Sequence, residues 1–137
     1  MKNLFLSTLI LATLTISCSS KQENKSEESF SSISVHEDIS ITEFNTTYAQ
    51  ADSNTIILDV RTDNEFKAGA IPNSLQLDFM SPDFKSKVAQ LDSTRTYIVY
   101  CQSGGRSTAA SKIMAQELGF TDVKNLEGGY STWSKSE

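Results

Sequence analysis

The chain of 137 residues carries 12 Lys and Arg against 17 Asp and Glu, a formal charge of −5, and contains two Cys and one His. This length suits one domain, because domains usually contain about 100–150 residues. An acidic chain without a block of Lys and Arg is not expected to bind nucleic acid, since that binding depends mainly on cations that neutralise phosphates. Two Cys and one His are too few for a zinc site or a disulfide framework, so we expect no metal and no cofactor.

The first segment has the features of an export signal. Residues 1–3 give a short cationic start, and residues 4–16 (LFLSTLILATLTI) are uncharged and mostly apolar. This run is shorter than the ~20 apolar residues of a transmembrane helix, which indicates a signal peptide. The following residues 14–18 (LTISC) resemble the lipobox of bacterial lipoproteins, although Thr15 stands where Leu is usual. We therefore predict a signal peptide over 1–17 and lipidation of Cys18.

Lipidation of Cys18 would attach the protein to a membrane, because each buried CH₂ of an acyl chain contributes about 0.8 kcal/mol. The expected location is the bacterial cell envelope, facing the periplasm or on the cell surface. Residues 18–32 form the predicted tether, since they are too polar to bury a core. Residues 21–28 also resemble the acidic export tracts of some surface lipoproteins, but a solvated linker is the favoured interpretation. One folded domain is predicted over 33–137.

In that domain, short β-branched runs alternate with helical patterns, which is typical of an α/β fold with a mainly parallel sheet. Strands are predicted at residues 55–60, 74–77, 96–100 and 122–126. The predicted helices run from a cap at Ser40 or Thr42 to about 50, over 64–68 after an Asp63 cap, from 81 to about 91 with Pro82 in the first turn, over 107–118 with Gly119 as C-cap, and over 130–135. Active sites of open α/β sheets lie beyond the carboxyl ends of the strands, here residues 59–61 and Cys101.

Cys101 ends the strand at 96–100, and a short loop then leads directly into a helix. The loop residues are Gln102, Ser103, Gly104, Gly105 and Arg106. Two glycines allow a tight turn that aims N–H groups inward, and the helix start adds the positive end of its dipole. Such surroundings lower a thiol pKa from about 8.5 to ~3.5–7.5, which predicts a nucleophile rather than an inert buried Cys. Arg106 supplies a permanent cation suited to an oxyanion such as a sulfonate or sulfite group.

Four motifs in order resemble a single-domain rhodanese, which is a sulfurtransferase fold. They are LDVR at 58–61 followed by Glu65 and Phe66, GAIPNS at 69–74, IVYCQSGGRS at 98–107, and LEGGYSTW at 126–133. The resemblance implies a three-layer α/β fold with a central, mainly parallel sheet of about five strands flanked by helices. It also implies that Cys101 takes a sulfane sulfur as a persulfide, while the loop amides from 102 to 106 bind the small sulfur-containing anion.

The resemblance assigns supporting roles to residues outside this loop. Asp59, Arg61 and Glu65 match motif positions for which pinning the loops around the site is favoured over a direct part in catalysis. Trp133 either walls the pocket or packs in the core. Ala70 stands where the family usually has His, and His36, outside any motif, is expected to be a surface residue. The reaction must then proceed without a His base, which a thiol of low pKa permits.

A reactive cysteine in this fold is compatible with several functions. Four residues separate Cys101 from Arg106, one fewer than in phosphatases of similar fold, so sulfur transfer from thiosulfate or a persulfide to a thiol or cyanide is favoured over phosphate hydrolysis. The alternative is a membrane-tethered persulfide carrier or sulfide-binding module that hands sulfur to a partner protein, because Gln102 and Ser103 are neutral where cations would favour thiosulfate. A thiol redox sensor would lack a resolving partner once Cys18 is lipidated.

Overall fold

A computed structural model of the protein describes residues 36–50 and 52–137. The predicted signal peptide, Cys18 and the tether lie outside these residues and stay predictions. In the described part of the chain, no helix has the length and apolar character needed to cross a membrane.

Within residues 36–50 and 52–137, five strands form a single sheet. They are β1 (His36–Ile39), β2 (Thr55–Asp59), β3 (Leu75–Gln76), β4 (Thr96–Tyr100) and β5 (Asp122–Leu126). Their order in the sheet is β1-β5-β4-β2-β3, and all four neighbouring pairs are parallel. The predicted α/β fold is therefore confirmed, and β2, β3, β4 and β5 lie where the sequence predicts strands.

The sequence pattern does not predict β1, because this edge strand is mostly polar and only Ile39 is fully buried. Edge strands lack a neighbour on one side, so they need no continuous apolar run. His36 opens this strand, in register with Val123 of β5, and its side chain is only 20% exposed. His36 therefore lies in a strand that the sequence pattern does not predict, and its side chain is half-buried.

In the part of the chain that the structure describes, a helical segment connects each strand to the next, and the last helix follows β5. They are α1 (Ile41–Glu43), which continues as a π-helix over Phe44–Tyr48, α2 (Asp63–Lys67), α3 (Phe84–Val88), α4 (Gly105–Lys112), which continues as a π-helix over Ile113–Glu117, and α5 (Gly129–Trp133). Ser40 caps α1 as one of the two predicted candidates, since its hydroxyl accepts the N–H of Glu43 at 3.2 Å. Gly119 follows the α4 helix with φ +72°, as expected of a C-terminal glycine.

The bounds of four helices differ from those predicted. The helix predicted over 130–135 is α5, which spans Gly129–Trp133, and the other three are α2, α3 and α4. The cap of α2 is Thr62 and not Asp63, because Thr62 and Glu65 form a reciprocal capping box. Pro82 lies in a turn before α3, not in its first turn, since the N–H of Phe84 closes that turn on the Ser81 carbonyl at 3.1 Å. α3 also ends at Val88, three residues early, and α4 begins at Gly105, two residues early.

Helices cover both faces of the sheet. Successive side chains of a strand point to opposite faces, so Val99 packs toward α3 and α4, whereas Ile98 and Tyr100 pack toward α1 and α5. The first cluster includes Phe84, Val88, Ala110 and Met114, and the second includes Phe44 together with the partly buried Tyr130 and Trp133. This arrangement is the predicted three-layer fold. Cys101 belongs to the first cluster and therefore lies on the α4 face.

Candidate active site

The loops that follow β2, β4 and β5 meet at one edge of the sheet, because the carboxyl ends of parallel strands share an edge. The N–H of Val60 donates to the Tyr100 carbonyl at 2.9 Å, which joins the first two of these loops. The N–H of Tyr130 donates to the Cys101 carbonyl at 2.8 Å, and the N–H of Ser131 donates to the Gln102 carbonyl at 3.0 Å. Backbone N–H groups at the start of α5 therefore hold the cysteine loop by its carbonyl groups.

This contact requires glycine at position 129. Gly129 has φ +54°, in the left-handed region, and a Cβ there would lie 2.3 Å from the Cys101 carbonyl oxygen. The neighbouring Gly128 has φ +71°, and its Cβ would lie 2.0 Å from the Thr132 hydroxyl. Gly129 thus allows the backbone of α5 to approach the backbone of the cysteine loop, whereas Gly128 leaves room for the Thr132 side chain.

The Cys101 sulfur is buried and hydrogen-bonded. The residue is 1% exposed, and its Sγ accepts the N–H of Gly104 at 3.1 Å. The Ser107 hydroxyl lies 3.5 Å from the sulfur and 3.0 Å from the Gly104 carbonyl oxygen, so its single proton is shared between these two acceptors. Burial by itself raises the pKa of the Cys101 thiol. Hydrogen bonds from Ser107 and from the backbone of Ser103 and Gly104 outweigh burial, so the net pKa is lower than usual. The sequence motifs do not single out Ser107 as a partner of the sulfur.

The loop residues after Cys101 have distinct positions. Gly104 turns the chain with φ +108°, whereas Gly105 opens α4 with free space around it. The Gln102 side chain donates to the Ser131 hydroxyl at 2.9 Å and accepts from Arg61 at 3.3 Å, so it holds the loop. The donors at the sulfur are therefore backbone N–H groups and one hydroxyl.

Arg106 is paired with Glu65. Its two terminal nitrogens contact the two carboxylate oxygens at 2.8 and 2.7 Å, a bidentate ion pair whose side chains are 25% and 30% exposed. The Arg106 hydrogen bonds, with smaller contributions from Thr62, lower the pKa of Glu65 to about 2. Glu65 in turn raises the pKa of Arg106, with a smaller contribution from the Cys101 sulfur. The sequence predicts Arg106 to be a cation that binds an oxyanion, and in the structure its guanidinium is paired with a carboxylate of the protein itself.

Arg61 connects four parts of the site. Asp59 and Arg61 are 0% and 1% exposed, and the shortest contact between their side chains is 2.7 Å. The same guanidinium donates to the Gly69 carbonyl at 2.6 Å and to the Gln102 side chain at 3.3 Å. Its Cζ lies 4.0 Å from the centre of the Tyr130 ring. This buried pair therefore joins the ends of β2 and β4, the segment around 69 and the start of α5.

The segment over 69–74 is held by the side chain of Tyr100, the last residue of β4. The Tyr100 hydroxyl accepts the N–H of Ile71 at 3.1 Å and lies 3.2 Å from the Ser74 hydroxyl, and burial raises the pKa of Tyr100. Trp133 packs against Tyr130, with ring centroids 5.6 Å apart, in the cluster on the face opposite Cys101. Of its two predicted roles, the structure supports packing in the core.

Among residues 36–50 and 52–137, no group of three or more His, Cys, Asp or Glu could hold a metal ion. The fold and site together define a class: a parallel α/β protein that holds a cysteine sulfur in a loop of backbone N–H groups between a strand and a helix. The rhodanese-like domain family matches residues 44–136. The chain belongs to this family.

Relatives and solved structures agree with that assignment. A mitochondrial protein of Schizosaccharomyces pombe, provisionally named a thiosulfate sulfurtransferase, is 34% identical over 122 residues, or 77% of this chain and 85% of that protein. The chloroplastic thiosulfate sulfurtransferase 16 of Arabidopsis thaliana is 38% identical over 89 residues, or 58% of this chain and 73% of that protein. A rhodanese-related protein from Thermoplasma volcanium is similar in structure, with TM-score 0.61, 26% identity and coverage of 73% of this chain and 92% of that chain.

Proposed function

We propose that this chain is a sulfurtransferase in which Cys101 carries the transferred sulfur as a persulfide. The Cys101 thiolate attacks the outer sulfur of thiosulfate or of a persulfide donor, and the S–S bond of the donor breaks. The electron pair leaves with sulfite or with the donor's thiolate. A thiolate acceptor or cyanide then attacks the terminal sulfur of the persulfide, which returns the Cys101 thiolate. Membership of the rhodanese-like family and the sulfurtransferase relatives support this proposal.

The observation that carries the proposal is the hydrogen bonding of the Cys101 sulfur by Gly104 N–H and the Ser107 hydroxyl. These donors stabilise an anionic sulfur before attack, and they remain in place for the negative charge that develops during transfer. They are fixed by the loop and by α4, so little reorganisation is needed when charge develops. No imidazole base is required, because the lowered pKa of Cys101 favours the thiolate.

A persulfide carrier is the second candidate. Residues 102–105 have no charged side chain, and the cation that follows them, Arg106, is paired with Glu65. A loop with little net charge attracts a dianion such as thiosulfate weakly. In this role the module would accept one sulfur and hand it to a partner protein instead of turning over with small thiols.

Sulfur loading of the full-length chain tests the proposal. A Cys18→Ser variant leaves Cys101 as the single thiol of the protein. After incubation with thiosulfate, polysulfide or glutathione persulfide, mass spectrometry should show one added sulfur on Cys101, and none in a Cys18→Ser/Cys101→Ser control. Failure of every donor to add sulfur contradicts the proposal. Fast turnover with cyanide or small thiols identifies a transferase, whereas one equivalent of sulfur without turnover identifies a carrier.

We also propose that the protein is held at the bacterial cell envelope by a lipid on Cys18. The cationic start, the apolar run over 4–16 and the LTISC sequence support this location. Labelled palmitate should enter the full-length chain in a bacterial host, and Cys18→Ser should remove both the label and the membrane association. Membrane fractionation of Cys18→Ser like that of the parent protein would contradict lipidation.

A further inference from the structure

The pair of Glu65 and Arg106, here called the rim pair, has a consequence for the choice of sulfur donor. It is partly exposed, while the Cys101 sulfur beside it is buried. The Arg106 guanidinium interacts electrostatically with that sulfur. A donor that reaches Cys101 therefore meets a carboxylate and a guanidinium together, not an isolated cation.

The carboxylate of the rim pair is fixed in position. Glu65 closes the capping box of α2, where its Oε2 accepts the backbone N–H of Thr62 at 3.1 Å and the Thr62 hydroxyl at 2.8 Å. It is held from the other side by both terminal nitrogens of Arg106. With a pKa of about 2, Glu65 is charged near neutral pH. Its negative charge is therefore a permanent feature of the site.

We propose that Glu65 is a specificity-determining residue that disfavours thiosulfate and other small dianionic donors relative to alkyl persulfides of low charge. The inference rests on the proposed sulfur transfer and names the donor class that the site prefers. A dianion beside the rim pair gains attraction from Arg106 but is repelled by Glu65, so the two effects largely cancel. A persulfide with an uncharged alkyl group depends little on electrostatic attraction, so this cancellation hardly affects its binding.

The two donors differ in the charge that they leave behind. From thiosulfate, the Cys101 thiolate takes the outer sulfur, and the electron pair of the broken S–S bond leaves with sulfite. From an alkyl persulfide RS–SH, the thiolate takes the terminal sulfur with its proton, and the electron pair leaves as the alkyl thiolate RS⁻, which takes a proton from water. The thiosulfate step thus places an oxyanion beside the rim pair both before and after transfer, whereas the alkyl donor places none there.

Donor selectivity of variants tests this inference. In full-length protein carrying Cys18→Ser, kcat/KM for sulfur loading is measured with thiosulfate and with 2-hydroxyethyl persulfide. Glu65→Gln keeps the size of the side chain but removes the charge and replaces one acceptor oxygen of Arg106 by an amide NH₂, and it should raise the ratio of thiosulfate to persulfide about tenfold. The rise should shrink at high salt, because these charges are partly exposed. Asp63→Asn, which removes an exposed charge from the same helix, and Glu65→Asp, which keeps the carboxylate, should each change the ratio less than about twofold.

The outcomes separate charge from position. A Glu65→Gln ratio within about twofold of the parent overturns the inference, and so does an equal rise in Asp63→Asn, which would indicate general surface charge. An equal rise in Glu65→Asp would show that loop geometry and not charge sets selectivity, and would also overturn it. If neither donor loads sulfur onto the parent protein, the proposed transfer fails. If both load it and the ratio does not move, only the role of Glu65 fails.

Discussion

Replacement of Arg61 by Met should destabilise the protein strongly. Asp59 and Arg61 are almost completely buried, so the variant leaves the Asp59 carboxylate without its partner charge. Removal of one member of a buried ion pair costs about 3–5 kcal/mol. The Gly69 carbonyl and the Gln102 side chain also lose a donor. Because about 1 kcal/mol shifts Tm by roughly 4–8 °C in a domain of this size, we expect Tm to fall by about 12 °C or more.

The matched variant is Asp59→Leu/Arg61→Met, which removes both charges. Apolar replacement of a whole buried pair is often nearly neutral, so this double variant should recover most of the free energy of unfolding. It should not recover the rate of sulfur loading, because the contacts of Arg61 with Gly69, Gln102 and Tyr130 are still lost. Urea and thermal unfolding give the stabilities, and the loading assay gives the rate. A loss below about 1 kcal/mol in Arg61→Met, or a double variant less stable than Arg61→Met, would refute the reasoning.

Three further results are expected. Gly129→Ala should lower both stability and sulfur loading, since its Cβ would lie 2.3 Å from the Cys101 carbonyl oxygen. Gly105→Ala, whose Cβ would have nothing within 4 Å, should leave the unfolding midpoint in urea almost unchanged, and equal midpoints for the two variants would contradict this. Ser107→Ala removes a hydrogen bond to the sulfur and should raise the pKa of the Cys101 thiol in a titration of thiolate absorbance, and an unchanged pKa would assign the shift to the backbone alone. The pKa of Glu65 is about 2 in the folded protein against an ordinary 4.5, so the stabilisation from its ion pair is present above pH 4.5 and is lost as the pH falls to about 2. Glu65→Gln should therefore reduce the difference in unfolding free energy between about pH 6 and about pH 3. An undiminished difference would show that other groups cause the acid sensitivity.

The elements that the sequence predicts correctly are those with strong local signals. The run over Thr96–Tyr100 consists of β-branched and aromatic residues without a break, as expected of a strand buried on both faces. The mostly polar β1 lacks that signal, because its place in the sheet depends on pairing with β5. The spacing of Thr62 and Glu65 is that of a capping box, so the sequence contains the signal for the observed start of α2. The adjacent Asp63 is also a good capping residue, and the prediction chose it instead.

The same distinction applies to the site. The order of Cys101, Gly104 and Arg106 predicts the turn and the helix start, because these residues are neighbours in the chain. Pairing of Arg106 with Glu65 joins residues 41 positions apart, and the close approach of Gly129 depends on how α5 packs. Composition and spacing contain no signal for either contact. A resemblance can mark such positions as parts of motifs, but the partner of each side chain follows only from the packed loops.

The start of α5 influences the chemistry of the sulfur without touching it. A trans peptide is planar, so its N–H points opposite to its C=O. The carbonyls of Cys101 and Gln102 accept hydrogen bonds from α5, so they point toward it. The N–H groups of Gln102 and Ser103, which belong to the same two peptide planes, are therefore directed away from α5. The backbone of Ser103 is among the groups that lower the pKa of the Cys101 thiol. Gly129 therefore acts on the thiolate through the carbonyl groups that it lets α5 approach, and a side chain there should disturb the pKa of Cys101 as well as the packing.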